Sequence, residues 1–100
     1  MELTTRYNVL ETYELKGVEC ADGEEHTFYI DIVLDKNEST FDSWLYEQRI
    51  GVKMLLFGVP MKQPNYEGMT FCEIYNDFVE IVEGNVYDYI EDYFDEYMTY

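Results

Sequence analysis

The sequence predicts an α+β fold: an antiparallel sheet of about three strands, a short central helix and a C-terminal acidic helical region. Three observations carry this expectation. A stretch rich in β-branched and aromatic residues runs into Asp22-Gly23 and out again, as a hairpin does. An apolar run between Gly51 and Pro60 has the length of a strand. The last third repeats apolar residues at helical spacing among acids. Residues 1–100 are expected to form a single domain, because a chain this short closes one modest core.

The first strand is read over residues 7–20. Val9, Glu11, Tyr13 and Leu15 are expected on one face, and Asn8, Leu10, Thr12 and Glu14 on the other. Asp22-Gly23 makes the turn, since glycine accepts the positive φ that a tight hairpin needs. The return strand is His26–Leu34, with Phe28, Ile30 and Ile32 facing one way and Tyr29, Asp31 and Val33 the other. Residues 35–38 are polar and read as a loop, which also holds the chance sequon Asn37-Glu38-Ser39. Ser39 then suits a helix N-cap, with Asp42 in the first turn. Phe41, Trp44 and Leu45 follow at i, i+3 and i+4, and Gly51 stands where a C-cap is expected. Residues 40–49 are therefore expected to form a short helix that sends Phe41, Trp44 and Leu45 into the core.

Residues 52–59 read as a buried third strand, and 63–68 as turn and loop. Phe71, Ile74, Tyr75, Phe78 and Val82 fit a helix, yet residues 78–83 fit a strand as well. The expectation is a helix over 70–77, with helix and strand both open beyond it. Gly84-Asn85 breaks that element. Residues 86–98 read as a helix with the stripe Val86, Ile90, Tyr93, Phe94 and Tyr97.

The formal net charge is −16, from 22 acids against six Lys and Arg. A nucleic-acid binder needs basic side chains to neutralise phosphates, and anionic lipid needs them too, so both partners are excluded. The charge is unevenly placed. Residues 73–100 hold nine acids (Glu73, Asp77, Glu80, Glu83, Asp88, Glu91, Asp92, Asp95 and Glu96) and no Lys, Arg or His. Like charges at i,i+4, such as Asp88/Asp92, each cost roughly 0.2–0.5 kcal/mol. Asp95 and Glu96 also stand at a helix end that prefers cations. Several costs of one sign point to an interaction surface.

Thirteen helical residues span about 20 Å, and five carboxylates over that length fall about 4 Å apart. A DNA strand carries a phosphate about every 3.4 Å. Tyr87, Tyr89 and Tyr93 alternate between packing positions and positions free to contact a partner. In size, charge, tyrosine content and acidic end the chain resembles the small acidic phage-type inhibitors that mimic nucleic acid, the anti-CRISPR and anti-restriction class. The resemblance implies a stoichiometric inhibitor that occupies the basic groove of a Cas effector or restriction-type nuclease, in the host cytoplasm if phage-encoded. The expected contact residues are the nine acids with Tyr87, Tyr89 and Tyr93. The competing expectation is an acidic binding or assembly module with no nucleic-acid-related target, and a homodimer stays open.

The residues give little support to other chemistry. His26 is the only histidine, and no nucleotide-binding glycine motif occurs. Neither CxxC nor HxxxH spacing is present, so no metal or other cofactor is expected. Residues 31–38 lack the central glycine and closing glutamate of an EF-hand loop. No enzyme is expected. Cys20 and Cys72 read as reduced, buried thiols of a cytoplasmic protein, although spacing alone permits one bridge. No basic and apolar leader precedes a cleavage site, so no signal peptide is expected, and no apolar run reaches bilayer length.

Overall fold

The structure, a computed structural model, describes residues 6–99. It is α+β, with a sheet of four antiparallel strands rather than three. Strands β1 (Tyr7–Glu19), β2 (Glu25–Asp35), β3 (Thr40–Glu47) and β4 (Met54–Pro60) lie side by side in chain order. A 3-10 turn at Pro64–Tyr66 leads to helices α1 (Phe71–Gly84) and α2 (Val86–Tyr93), and a π turn at Phe94–Met98 follows. Both helices pack on one face of the sheet.

The extra strand is β3, where a helix over 40–49 was expected. Its burial alternates residue by residue: Phe41, Ser43, Leu45 and Glu47 are buried, and the residues between them are less so. Two polar residues, Ser43 and Glu47, occupy core-facing positions and disguise the period of two. Each has a reason to be there. The Ser43 hydroxyl donates to the Phe57 carbonyl at 3.1 Å, and Glu47 receives several donors described below. Trp44 is on the opposite face from Phe41 and Leu45, so only two of the three expected core residues enter the core. Ser39 caps no helix. It holds a positive φ of 54° in the turn between β2 and β3.

The β1–β2 hairpin forms at Asp22-Gly23, where the Gly23 amide donates to the Cys20 carbonyl at 3.0 Å. Two irregularities in β1 alter the expected faces. Val9 pairs with Val33 and Glu11 with Ile32, which point to opposite faces of β2, so a bulge at Leu10 puts Val9 on the face away from Glu11. The second bulge lies between Leu15 and Val18, and Gly17 supplies its left-handed residue at φ 66°. β4 is an edge strand and not a buried one: Met54, Leu56, Phe57 and Val59 pack on the core, while Leu55 is 50% exposed.

Residues 78–83 are helix. α1 runs unbroken to Gly84 from a capping box in which the Thr70 hydroxyl accepts from the Glu73 amide and the Glu73 carboxylate accepts from the Thr70 amide. The β-branched residues there follow the helical period, and Ile74, Phe78 and Val82 are all buried. Asn85 is the single residue between the helices, with its side chain donating to the Ile81 carbonyl. Aromatic rings join the two layers. Phe78 stacks on Phe41 at 5.7 Å and tilts against Phe57 at 5.0 Å, and Tyr93 meets Phe28 edge-on at 5.9 Å.

Both cysteines are free thiols. Cys20 is half-buried and Cys72 is exposed, so neither is a buried core thiol. Among the described residues no helix is long and apolar enough to cross a membrane.

Ser39→Gly removes the penalty that a Cβ carries at positive φ, about 1–2 kcal/mol, and returns part of it as unfolded-state entropy. Urea unfolding of Ser39→Gly is expected to show a gain of about 0.5–1 kcal/mol. A loss of the size caused by removing a helix N-cap would contradict the strand assignment.

Candidate interaction surface

The nine acids of the last third separate into two groups. Glu73 closes the capping box of α1. Its carboxyl pKa is lowered, chiefly by the hydrogen bond from the Thr70 amide. Asp77 is half-buried and accepts from the Tyr66 hydroxyl at 3.1 Å. The other seven, Glu80, Glu83, Asp88, Glu91, Asp92, Asp95 and Glu96, are exposed along the helices and π turn, with Glu91 and Asp95 turned toward the end of the hairpin. None takes part in an ion pair among the described residues. Neither helix has a basic residue in its last turn.

The expected tyrosines take three different places. Tyr87 is 68% exposed and stands free between the acids. Tyr89 is half-buried, with its ring 6.2 Å from Phe57. Burial, followed by the charges of Asp88 and Asp92, raises its pKa. Tyr93 is wholly buried and donates its hydroxyl to the Val52 carbonyl at 2.6 Å. Tyr93 is therefore a core residue that orients α2, and Tyr87 is the ring that a partner can reach. A cleft of about 390 Å³ separates α2 from the end of the hairpin. Val18, Ile90 and Phe94 line it, and Glu19, Glu91 and Asp95 border it.

The cations lie elsewhere. Arg6 forks onto Asp35 with two bonds of 3.1 Å, Lys53 reaches Asp31 at 2.9 Å, and Lys16 lies 3.5 Å from Glu14. The Asp35 carboxyl pKa is lowered, mainly by Arg6. All three pairs sit on strands or next to one.

Sequence reasoning passed over one polar cluster. His26 is buried between two carboxylates and a guanidinium, with Nε2 2.8 Å from Asp22, Nδ1 3.1 Å from Glu47 and 2.9 Å from Nη2 of Arg49, whose Nε also donates to Glu47 at 3.3 Å. Glu47 is 1% exposed and accepts from the backbone amides of Arg49 at 2.6 Å and Ile50 at 2.9 Å. Burial disfavours the imidazolium, but the bonds to Asp22 and Glu47 outweigh it and raise the His26 pKa. Burial likewise opposes the Glu47 charge, yet its backbone and His26 donors outweigh that and lower its pKa. The available signal was the Asp22 to His26 spacing of four across a hairpin turn; Glu47 had none. Among the described residues no group of three or more acids, cysteines or histidines is placed to hold a metal ion.

No family model matches the chain, and no curated protein or solved structure matches it.

A group whose native pKa is raised stabilises the fold fully below its unfolded value and loses that contribution as pH climbs through the native value. The stability margin of the wild type over His26→Asn is therefore expected to be largest between about pH 5 and 6.5 and to shrink above that. Urea unfolding of both chains across this range measures it. A margin independent of pH would mean that His26 is held as the neutral ring.

Proposed function

We propose that the chain is a stoichiometric protein inhibitor that occupies the basic nucleic-acid groove of a host defence nuclease of the Cas-effector or restriction type. The observation that carries this reading is the set of seven exposed carboxylates along the helices and π turn, unpaired among the described residues. Five of them fall within residues 86–98. α2 and the π turn that continues it carry these five in one helical run, about one carboxylate per 4 Å, a spacing close to that of phosphates on a strand. A groove lined with Lys and Arg would meet a comparable line of charge. Opposite fields raise the association rate, and salt weakens it. Tyr87 adds one ring at a place where a base-stacking site could receive it. The cleft beside α2, apolar in its floor and acidic at its border, suits the stem and head of a basic side chain.

A second reading, an acidic binding or assembly module without a nucleic-acid-related target, is favoured by the uncovered aromatic face of the sheet. A partner captured from lysate separates the two, because under the first reading DNA or guide RNA competes with the chain for it.

Replacing Asp88, Asp92 and Asp95 together with Asn removes three of the seven charges without touching the core. Affinity for the captured nuclease is expected to fall at least about tenfold at low salt, and the salt dependence of binding to flatten. Unchanged affinity of the triple variant at low and high salt would overturn the mimicry reading.

A further inference from the structure

Among the described residues, the face of the sheet opposite the helices carries no layer of its own. Its rows read, from β1 to β4, Val9–Val33–Asp42–Gly58 and Thr12–Asp31–Trp44–Leu55, and Tyr29 and Tyr46 stack beside them at 5.3 Å. Val9 is 54% exposed and Leu55 is 50% exposed, although Val33 between them is buried. A shallow depression of about 400 Å³ runs among Tyr7, Val9, Val33 and Trp44.

The charge of this face is balanced. Arg6 answers Asp35, Lys53 answers Asp31, and Lys16 answers Glu14 at the rim. Half of the six basic residues are thus spent on one face of a chain whose net charge is −16. Asp42 alone has no cation partner there among the described residues, and burial raises its pKa. Lys53 and Arg6 remain partly exposed beside rings, each 5.0 Å from a tyrosine centroid. The face therefore offers exposed apolar surface with three cations set against four carboxylates, close to neutral in a strongly acidic chain, so it is the face on which a second copy meets the least repulsion.

We propose that this face binds a second copy of the chain, sheet against sheet, in a two-fold homodimer. Two copies at net −16 repel through every other broad surface. Face-to-face sheets pack about 10 Å apart with a helix layer outside each. The two acidic layers then lie about 30 Å apart, more than three Debye lengths at physiological salt. The footprint of four strands and about seven residues is roughly 20 by 25 Å, which with side-chain relief approaches the lower range of stable interfaces. Such a dimer presents its acidic helices in opposite directions and can engage two partners at once. The inference stands independently of what the helices bind.

The test is sedimentation equilibrium of the full chain, with the double variant Val9→Gln/Leu55→Gln alongside. Both substitutions are at exposed positions and leave the net charge unchanged, and far-UV circular dichroism checks the fold. The wild type is expected to dimerise at micromolar concentration and more tightly as salt rises, whereas mimicry binding weakens with salt. The double variant is expected to raise the dimer dissociation constant at least about tenfold. Replacing Asp88, Asp92 and Asp95 with Asn is expected to leave the dimer intact. A wild type that stays monomeric at about 200 µM in high salt overturns the proposal. So does a folded double variant that dimerises as tightly as the wild type.

Discussion

The contact between Phe78 of α1 and the rings of Phe41 and Phe57 is the interaction on which the rest of the molecule depends. No ion pair among the described residues holds the helices, so packing must. They carry no basic residue in their last turns, and acids stand in repulsive spacing along α2. The like-charge pair Asp88 and Asp92 at i,i+4 within α2 costs roughly 0.2–0.5 kcal/mol. Full burial of one phenylalanine supplies about 1.5–3 kcal/mol, so Phe78 alone offsets it. Ile74, Val82, Ile90 and Tyr93 add to the same side. The sheet can therefore support a helical layer whose outer surface is chosen for charge and not for stability.

That support divides the molecule electrically. On the sheet half, Asp35, Glu14 and Asp31 are answered by Arg6, Lys16 and Lys53, and Glu47 by His26, Arg49 and backbone amides, while Glu19, Glu24, Glu25 and Glu38 stand exposed without an ion pair among the described residues. Acids on the outer side of α2 are answered by nothing among the described residues. Burial of Glu47 at the end of β3 is tolerable only because donors surround it; a buried carboxylate lacking them would protonate or unfold the strand end. The ion pairs of the described residues thus all lie on the sheet half, and the helical half has none.

Most elements were legible because their period and punctuation agreed. Asp22-Gly23 marked the hairpin, and the stripes of α1 and α2 followed the helical repeat around a break at Gly84-Asn85. β3 failed because two local signals agreed on the wrong answer. Phe41, Trp44 and Leu45 have helical spacing, and Ser39 and Gly51 resemble caps. The true alternation was hidden by Ser43 and Glu47, whose burial depends on partners distant in sequence, the Phe57 carbonyl and His26. The bulge at Leu10 was equally invisible, since a one-residue slip in pairing leaves composition unchanged. In the acidic third, residue type marked the acids, but only packing could sort exposed Tyr87 from buried Tyr93.

The tyrosines acquire a different meaning once placed. Eleven of them accompany 22 acids and six cations. Tyr29 donates to Glu14, Tyr66 to Asp77 and Tyr75 to Glu11. Each phenol has a raised pKa, led by the Glu14 bond for Tyr29 and by burial for Tyr66 and Tyr75, so it stays a donor throughout the physiological range. A phenol hydroxyl satisfies a carboxylate without neutralising it. Lysine would satisfy it equally well but would cancel the field. A chain that needs internally ordered acids and a strongly negative exterior is therefore better served by tyrosine than by lysine. Three of the eleven tyrosines thus order carboxylates within the fold and leave the negative charge of the molecule intact.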